Sequence, residues 1–311
     1  MKKGSIYLAA ICVVLVLAVV WLYAKLHTPT PKTLIAAGAT KVMQPLTPAL
    51  NVSIPQPAST KARFNPVMST ENLISLYENS SDLYTFVQQM DRLGRRGNPN
   101  AYAMAGLAIR SCMMMNSPGY ENYLYSYSVE RKVHDISQYH AAIARLKNRC
   151  TRLISTGEVS NALIQSYLKK SAALGSPIGA AKLAQADPAM AVSKLRSTVD
   201  SVMASANPIA IRALSESVGP NSPLKGDDVG KTSDSYGLQI FSCHLANDCG
   251  SGSVLMMQLC INTKFCKPTS YVSFLKNSLP PDTYRRAVAL SSRLMHQLNS
   301  GERPKLRLTG N

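Results

Sequence analysis

Tryptophan occurs once and phenylalanine five times in 311 residues, and only 17 side chains are acidic. Aromatic anchors therefore cannot dominate the core, which must be built from Ala, Leu, Ile, Val and Met. No long run alternates apolar and polar residues, so a fold of half-buried strands is excluded. The motifs of nucleic-acid-binding modules are missing, and no block of basic residues replaces them; nucleic acid is not an expected partner. No two cysteines stand two to four residues apart. That removes both the zinc knuckle and the Cys-x-x-Cys redox centre.

What remains is rich in Ala, Leu, Ser and Met, which favours an all-α fold. The formal charge is +17. Lys2, Lys3 and Lys25 flank the first apolar segment, leaving 31 basic against 17 acidic residues, or +14, for the rest. The basic residues are dispersed, with tight pairs such as Arg95-Arg96, Lys169-Lys170 and Arg285-Arg286. Such a surface attracts anionic partners. Arg285, Arg286 and Arg293 form a candidate anion-binding surface on the last helix.

Ile6 to Ala24 is an uncharged run of nineteen residues. As a helix it spans about 28 Å, close to the roughly 30 Å hydrocarbon core. Lys2 and Lys3 precede it, and Trp21 and Tyr23 sit near its far end, as in membrane anchors. A cleaved signal peptide has a shorter core and a small-x-small site; Leu22-Tyr23-Ala24 begins with a bulky residue. The expectation is an uncleaved single-pass anchor within residues 1–27, with a cytoplasmic N-terminus and a body in the bacterial periplasm. Residues 28–66 hold seven of the eighteen prolines and read as an extended tether. Fully extended it reaches about 120 Å; as a coil, roughly 35 Å.

Residues 67–300 read as the helical domain and 301–311 as a disordered tail. Helices are predicted over 82–93, capped by Ser81 and stopped at Gly94, and over 101–115. A third has a stripe at 139, 142, 143, 146, 150 and 153. Cys112 and Cys150 point inward on the second and third. A hairpin follows, with Gly175 as stop and Pro177 as restart. Asp187-Pro188 and Asn207-Pro208 open two more helices by one device, a capping side chain before Pro at the first helical position. Further helices are predicted over 236–246, 254–261 and from Pro280 to about Asn299.

Several tempting motifs fail on geometry. Gly226 to Thr232 imitates a phosphate-binding loop but is one residue short and follows no strand. Ser222-x-x-Lys225 and Lys231-Thr232 imitate penicillin-recognising enzymes but lie too close together. His134 and His140 lack a third metal ligand. His244 has no nucleophile fixed beside it and reads as surface. No cofactor is implied.

Cys243, Cys249, Cys260 and Cys266 follow the spacing C-x5-C-x10-C-x5-C. Beyond an anchor whose N-terminus is cytoplasmic, the six body cysteines meet an oxidising space and read as staples. The helix over 254–261 separates Cys249 from Cys266 by roughly 20 Å, far beyond the Cα approach of about 7 Å that a disulfide tolerates. Local pairs 243–249 and 260–266 remain, with 112–150 as the third.

Two stretches carry a resemblance. Residues 167–185, YLKKSAALGSPIGAAKLAQ, resemble one Sel1-like repeat, a relative of the tetratricopeptide repeat; no second copy recurs at a fixed period. The order AYAMAGLAIRSC, AAIARLKNRC, that hairpin, CHLANDC and LCINTKFC resembles a group of uncharacterised, cysteine-stapled, Sel1-like secretory proteins of proteobacteria, over about 82–298. The resemblance implies a helical domain of the cell envelope and carries no activity with it.

The expected fold is an all-α, disulfide-stapled array of helix hairpins behind one transmembrane helix. The expected role is a non-enzymatic binding module or scaffold for a protein partner or an anionic envelope polymer. The alternatives are a cell-wall-acting hydrolase, drawing on Glu71, Glu78, Asp82, Asp91, Glu121, Glu130 or Asp135, and a structural component of an envelope secretion or conjugation machine.

Overall fold

The computed structural model describes residues 68–130, 135–187, 190–246, 248–267 and 269–309. All belong to one compact unit, Ala62–Asn311. The expected anchor, Ile6 to Ala24, and the tether, 28–66, lie outside the described residues. No helix among the described residues is long and apolar enough to cross a membrane.

Thirteen α-helices and no strand occur among the described residues. They are α1 (Thr70–Asn79), α2 (Leu83–Arg95), α3 (Pro99–Cys112), α4 (Tyr120–Glu130), α5 (Ile136–Ser155), α6 (Asn161–Ala173) and α7 (Pro177–Ala186). The second half holds α8 (Val192–Ser205), α9 (Pro208–Ser215), α10 (Thr232–Ala246), α11 (Val254–Thr263), α12 (Tyr271–Ser278) and α13 (Pro281–Asn299). One packing chain runs through the body: α2 on α3, α3 on α6, α6 on α7, α7 on α9, α9 on α10, and α10 on α13. In addition, α5 lies against α2 and α3, and α11 against α5.

The cap-plus-proline device brings three helix starts together. Asn98, Ser176 and Asn207 each accept a backbone N–H of the helix they open, and each is followed by Pro. Thr70 Oγ1 accepts from both Asn100 Nδ2 and Asn207 Nδ2 at 3.1 Å, and Ser176 Oγ donates to Asn100 Oδ1 at 2.7 Å. The N-termini of α1, α3, α7 and α9 therefore meet in one small polar network. Buried amides are tolerated there because each finds a partner.

The apolar stripes form two main clusters. One joins α1 to α6 with α11, around Leu73, Phe86, Met104, Tyr139 and Ile143. The other joins α7 to α10 with α13, around Ile178, Val199, Ile211, Phe241 and Leu294. Leu107 and Ile209 pack against both clusters and mark the seam between them. Gly237 lies in the middle of α10, where a Cβ would come within 2.8 Å of Leu290. Its missing side chain lets α13 approach closely.

Several boundaries differ from expectation. Asp82 caps α2 rather than Ser81, and α2 continues through Gly94. A Cβ at Gly94 would sit 2.5 Å from the Tyr102 ring, so that glycine serves close packing. The turn falls at Gly97, with φ of 93°. Asp187 closes α7 instead of opening α8. α12 was not anticipated, and α10 starts four residues earlier than expected, with Asp234 Oδ2 accepting from Lys231 N at 2.9 Å. The tail is not loose over 301–309. Leu308 bridges to Gly226, Thr309 N donates to Lys225 O at 2.9 Å, and Leu306 is buried. A Cβ at Gly226 would meet Arg307 O at 2.2 Å, so only glycine lets the tail lie there.

Candidate functional site

The three disulfides join the pairs derived from spacing: Cys112–Cys150, Cys243–Cys249 and Cys260–Cys266. None of the six cysteines lines the cavity at the seam, but each disulfide ties down an element or loop that does. The first ties α3 to α5, two of its walls. The second fixes the loop carrying Asp248, and the third closes the end of α11. The cavity measures about 290 Å³ and lies at the seam of the two clusters, where Leu107 and Ile209 line it. Its apolar lining comes from Ile74 of α1, Met104 of α3, Leu146 of α5 and Val254 and Ile261 of α11, with Met114 at the edge.

The charged side chains of this cleft are Glu78 and Asp248 on one hand and Arg110, Lys182 and Arg212 on the other. Glu78, in the last turn of α1, accepts from the Val254 backbone N–H at 2.6 Å. Burial pushes its carboxyl above the ordinary range; the Val254 bond opposes this and nearby Asp248 adds to it. Two arginines of α5 hold that end of α1. Arg149 Nη2 donates to Tyr77 O at 2.5 Å, which also accepts the Ser80 N–H at 3.4 Å, and Arg145 Nη2 donates to Glu78 O at 3.4 Å, so both bond carbonyls of the last turn. Arg149 is only 2% exposed, and its guanidinium stacks over the Tyr77 ring at 4.9 Å.

Three cations share the lining: Arg110 of α3, Lys182 of α7 and Arg212 of α9. Arg212 is matched: Nη2 contacts Asp248 Oδ1 at 2.7 Å, and Nε donates to Ser242 Oγ at 3.2 Å. Among the described residues Lys182 Nζ donates to Gln185 Oε1, at 2.9 Å. Burial lowers its ammonium to about 8; Glu216 opposes the shift, while Arg110 and Arg212 reinforce it. Arg110 is exposed and has no ion-pair partner among the described residues.

The expected arginine surface is divided. Arg285 pairs with Asp282, and Arg293 Nη2 meets Asp228 Oδ2 at 2.5 Å. Arg286 and Arg293 line a second cleft of about 280 Å³, which Arg285 does not reach. Asp228, 3% exposed, also accepts from Arg307 N at 2.5 Å and Arg307 Nη2 at 3.1 Å, so that cleft serves to dock the tail.

Of the carboxylates considered for catalysis, only Glu78 lines either cleft. Asp82 and Asp135 cap helices; Asp91 pairs with Arg95 at 2.7 Å and Glu121 with Lys147 at 2.8 Å. Glu71 lies exposed in the first turn of α1, and the Glu130 side chain lies outside the described residues. His140 packs edge-on against Tyr125 and His244 is exposed; His134 lies outside the described residues. Lys182, Arg212 and Asp248 were missed from sequence. Their only signal is a charged residue on a predominantly apolar helical stretch, or one beside a cysteine.

No protein-family model, curated protein or solved structure matches this chain.

Proposed function

We propose that this chain is a single-pass inner-membrane protein whose helical body acts in the periplasm as a non-enzymatic binding module or scaffold. The seam cleft is its ligand site. The observation that carries this reading is the cleft itself: an apolar cavity whose walls belong to elements tied down by the three disulfides, lined by two cations, Arg110 and Lys182, that no carboxylate among the described residues pairs directly. Pockets of this make, largely apolar with a few convergent polar groups, are where small ligands and short segments bind. The meeting of the α1, α3, α7 and α9 starts supports a repeat-like, Sel1-related arrangement of hairpins. Three staples in one body support an oxidising compartment.

One observation favours a wall hydrolase as second reading. Glu78, raised above its ordinary range, and Asp248 share the cleft, as an acid and a stabilising carboxylate do in glycoside hydrolysis. Against it, Asp248 is held by Arg212, and Tyr77 is the only aromatic ring in the lining on which a sugar could stack.

The test is site-specific photo-cross-linking in intact cells. A photoreactive residue at Met114, on the cleft, is expected to yield a discrete adduct, and one at Leu174, on the exposed turn between α6 and α7, none. Equal or absent adducts at both positions contradict the reading. A stoichiometric membrane complex captured through Leu174 instead favours the machine component.

A further inference from the structure

We infer that the seam cleft takes a single-chain aliphatic carboxylate, its head between Arg110 and Lys182 and its chain along Met104, Leu107 and Ile209. This deepens the binding-module reading and rests on it.

Size limits the occupant first. At about 290 Å³ the cavity lies at the lower edge of small-molecule sites, which run from about 300 to 1,000 Å³. One chain of medium length fits; a two-chain lipid or a folded partner does not. The lining limits it next. A peptide brings one donor and one acceptor per residue, and each must be satisfied when buried. Beyond the charged groups, the polar side chains of the lining are Tyr77, Ser111, Gln258 and Asn262, too few for a buried peptide backbone. An aliphatic chain makes no such demand.

Charge then orients the ligand. Lys182 and Arg110 lie close enough to influence each other, and neither has a carboxylate within ion-pair distance among the described residues. Glu216 is engaged through its side chain with Gln185. A carboxylate between Arg110 and Lys182 restores local balance and offers the planar acceptor that a guanidinium binds best. Asp248 is already balanced by Arg212 at 2.7 Å, which leaves Arg110 and Lys182 as the lining cations without a direct counter-charge among the described residues. The chain's own tether fits badly: residues 28–66 carry Lys32, Lys41, Lys61 and Arg63 and no acidic residue.

The experiment uses the full chain in phosphatidylcholine nanodiscs and dodecanoate labelled at its carboxyl carbon, followed by carbon NMR. A carboxyl resonance absent from empty discs is expected, with affinity reduced about tenfold in Lys182→Met with Arg110→Met and restored in Lys182→Arg. Dodecanol and dodecyltrimethylammonium, with the same chain and a neutral or opposite head, should displace it poorly. Absence of that resonance, or its persistence at full affinity in the double variant, overturns the proposal. If dodecanoate fails while Met114 still yields its adduct, the ligand class falls and the binding module stands. If both fail, both fall.

Discussion

The carboxylate of Glu78 accepts the Val254 backbone N–H at 2.6 Å across 176 positions of sequence. An acidic side chain in the last turn of its own helix is disfavoured by the helix dipole. Here it is offset by the positive N-terminus of α11, where the orphan N–H of Val254 needs an acceptor. Glu78→Gln keeps an acceptor and should change stability by no more than about 0.5 kcal/mol, whereas Glu78→Ala should cost about 1–2 kcal/mol in urea unfolding. The pH dependence has a definite sign. The folded carboxyl titrates above its ordinary 4.5, so the folded state holds a proton that the unfolded state has released. Its contribution is fully present below that value and declines as pH rises through the raised one. Glu78→Gln should remove that decline.

Lys182 gives the opposite window. Its folded ammonium titrates near 8 instead of 10.5, chiefly because of burial. Between those values the unfolded state binds the extra proton, so stability should rise with pH across this range. Lys182→Met removes the buried charge at similar length. Thermal unfolding at pH 7 should show a gain of roughly 1–2 kcal/mol, after discounting the shift for an open cleft. The gain should shrink as pH approaches 10. A loss at pH 7 would mean that Lys182 is matched by a charge in the free protein.

Asp228 holds the C-terminal strap through Arg293 and both the backbone and the side chain of Arg307. Asp228→Asn leaves the Arg293 guanidinium without its paired carboxylate and leaves Arg307 with Asp227, 3.8 Å away. The expected cost is about 1–3 kcal/mol, reduced by the exposure of Arg307. Limited trypsin digestion should cut at Arg303, Lys305 and Arg307 faster in the variant, with the released fragments read by mass spectrometry. Unchanged cleavage would show that backbone pairing with Gly226 and Lys225 suffices.

The disulfides should differ in worth. Cys112–Cys150 closes a separation of 38 residues, and the other two each close 6. In the chain-entropy account that is about 4 kcal/mol for the first and about 2 kcal/mol for each short loop. Cys112→Ser with Cys150→Ser should therefore lower the unfolding midpoint more than either short-loop double variant. Since it joins two cleft walls, it should also weaken the Met114 adduct.

Helices were legible where spacing alone decides them. The stripe through Tyr139, Ile143, Leu146, Cys150 and Leu153 is buried as its period requires, and both short-loop disulfides followed from helix length. Misreadings arose where a residue has two uses. Gly94 reads as a stop but serves contact with Tyr102, and Asp187 reads as an opening cap but closes α7. The tail was opaque because ERPKLRL is polar by composition; its partners, Gly226 and Asp228, lie more than seventy residues away. The cleft was opaque for the same reason. Lys182 and Arg110 come from separate helices, and only the packing of α3, α7 and α9 makes them neighbours.

Beneath all of this lies the claim that the body matures outside the cytoplasm, where its staples hold elements that wall the proposed ligand cleft. Differential thiol labelling tests it most directly. Intact cells are treated with a membrane-permeant alkylating reagent, then the protein is denatured, reduced and treated with a second reagent of different mass. The account predicts the second label at Cys112, Cys150, Cys243, Cys249, Cys260 and Cys266. The first label on those six would contradict it.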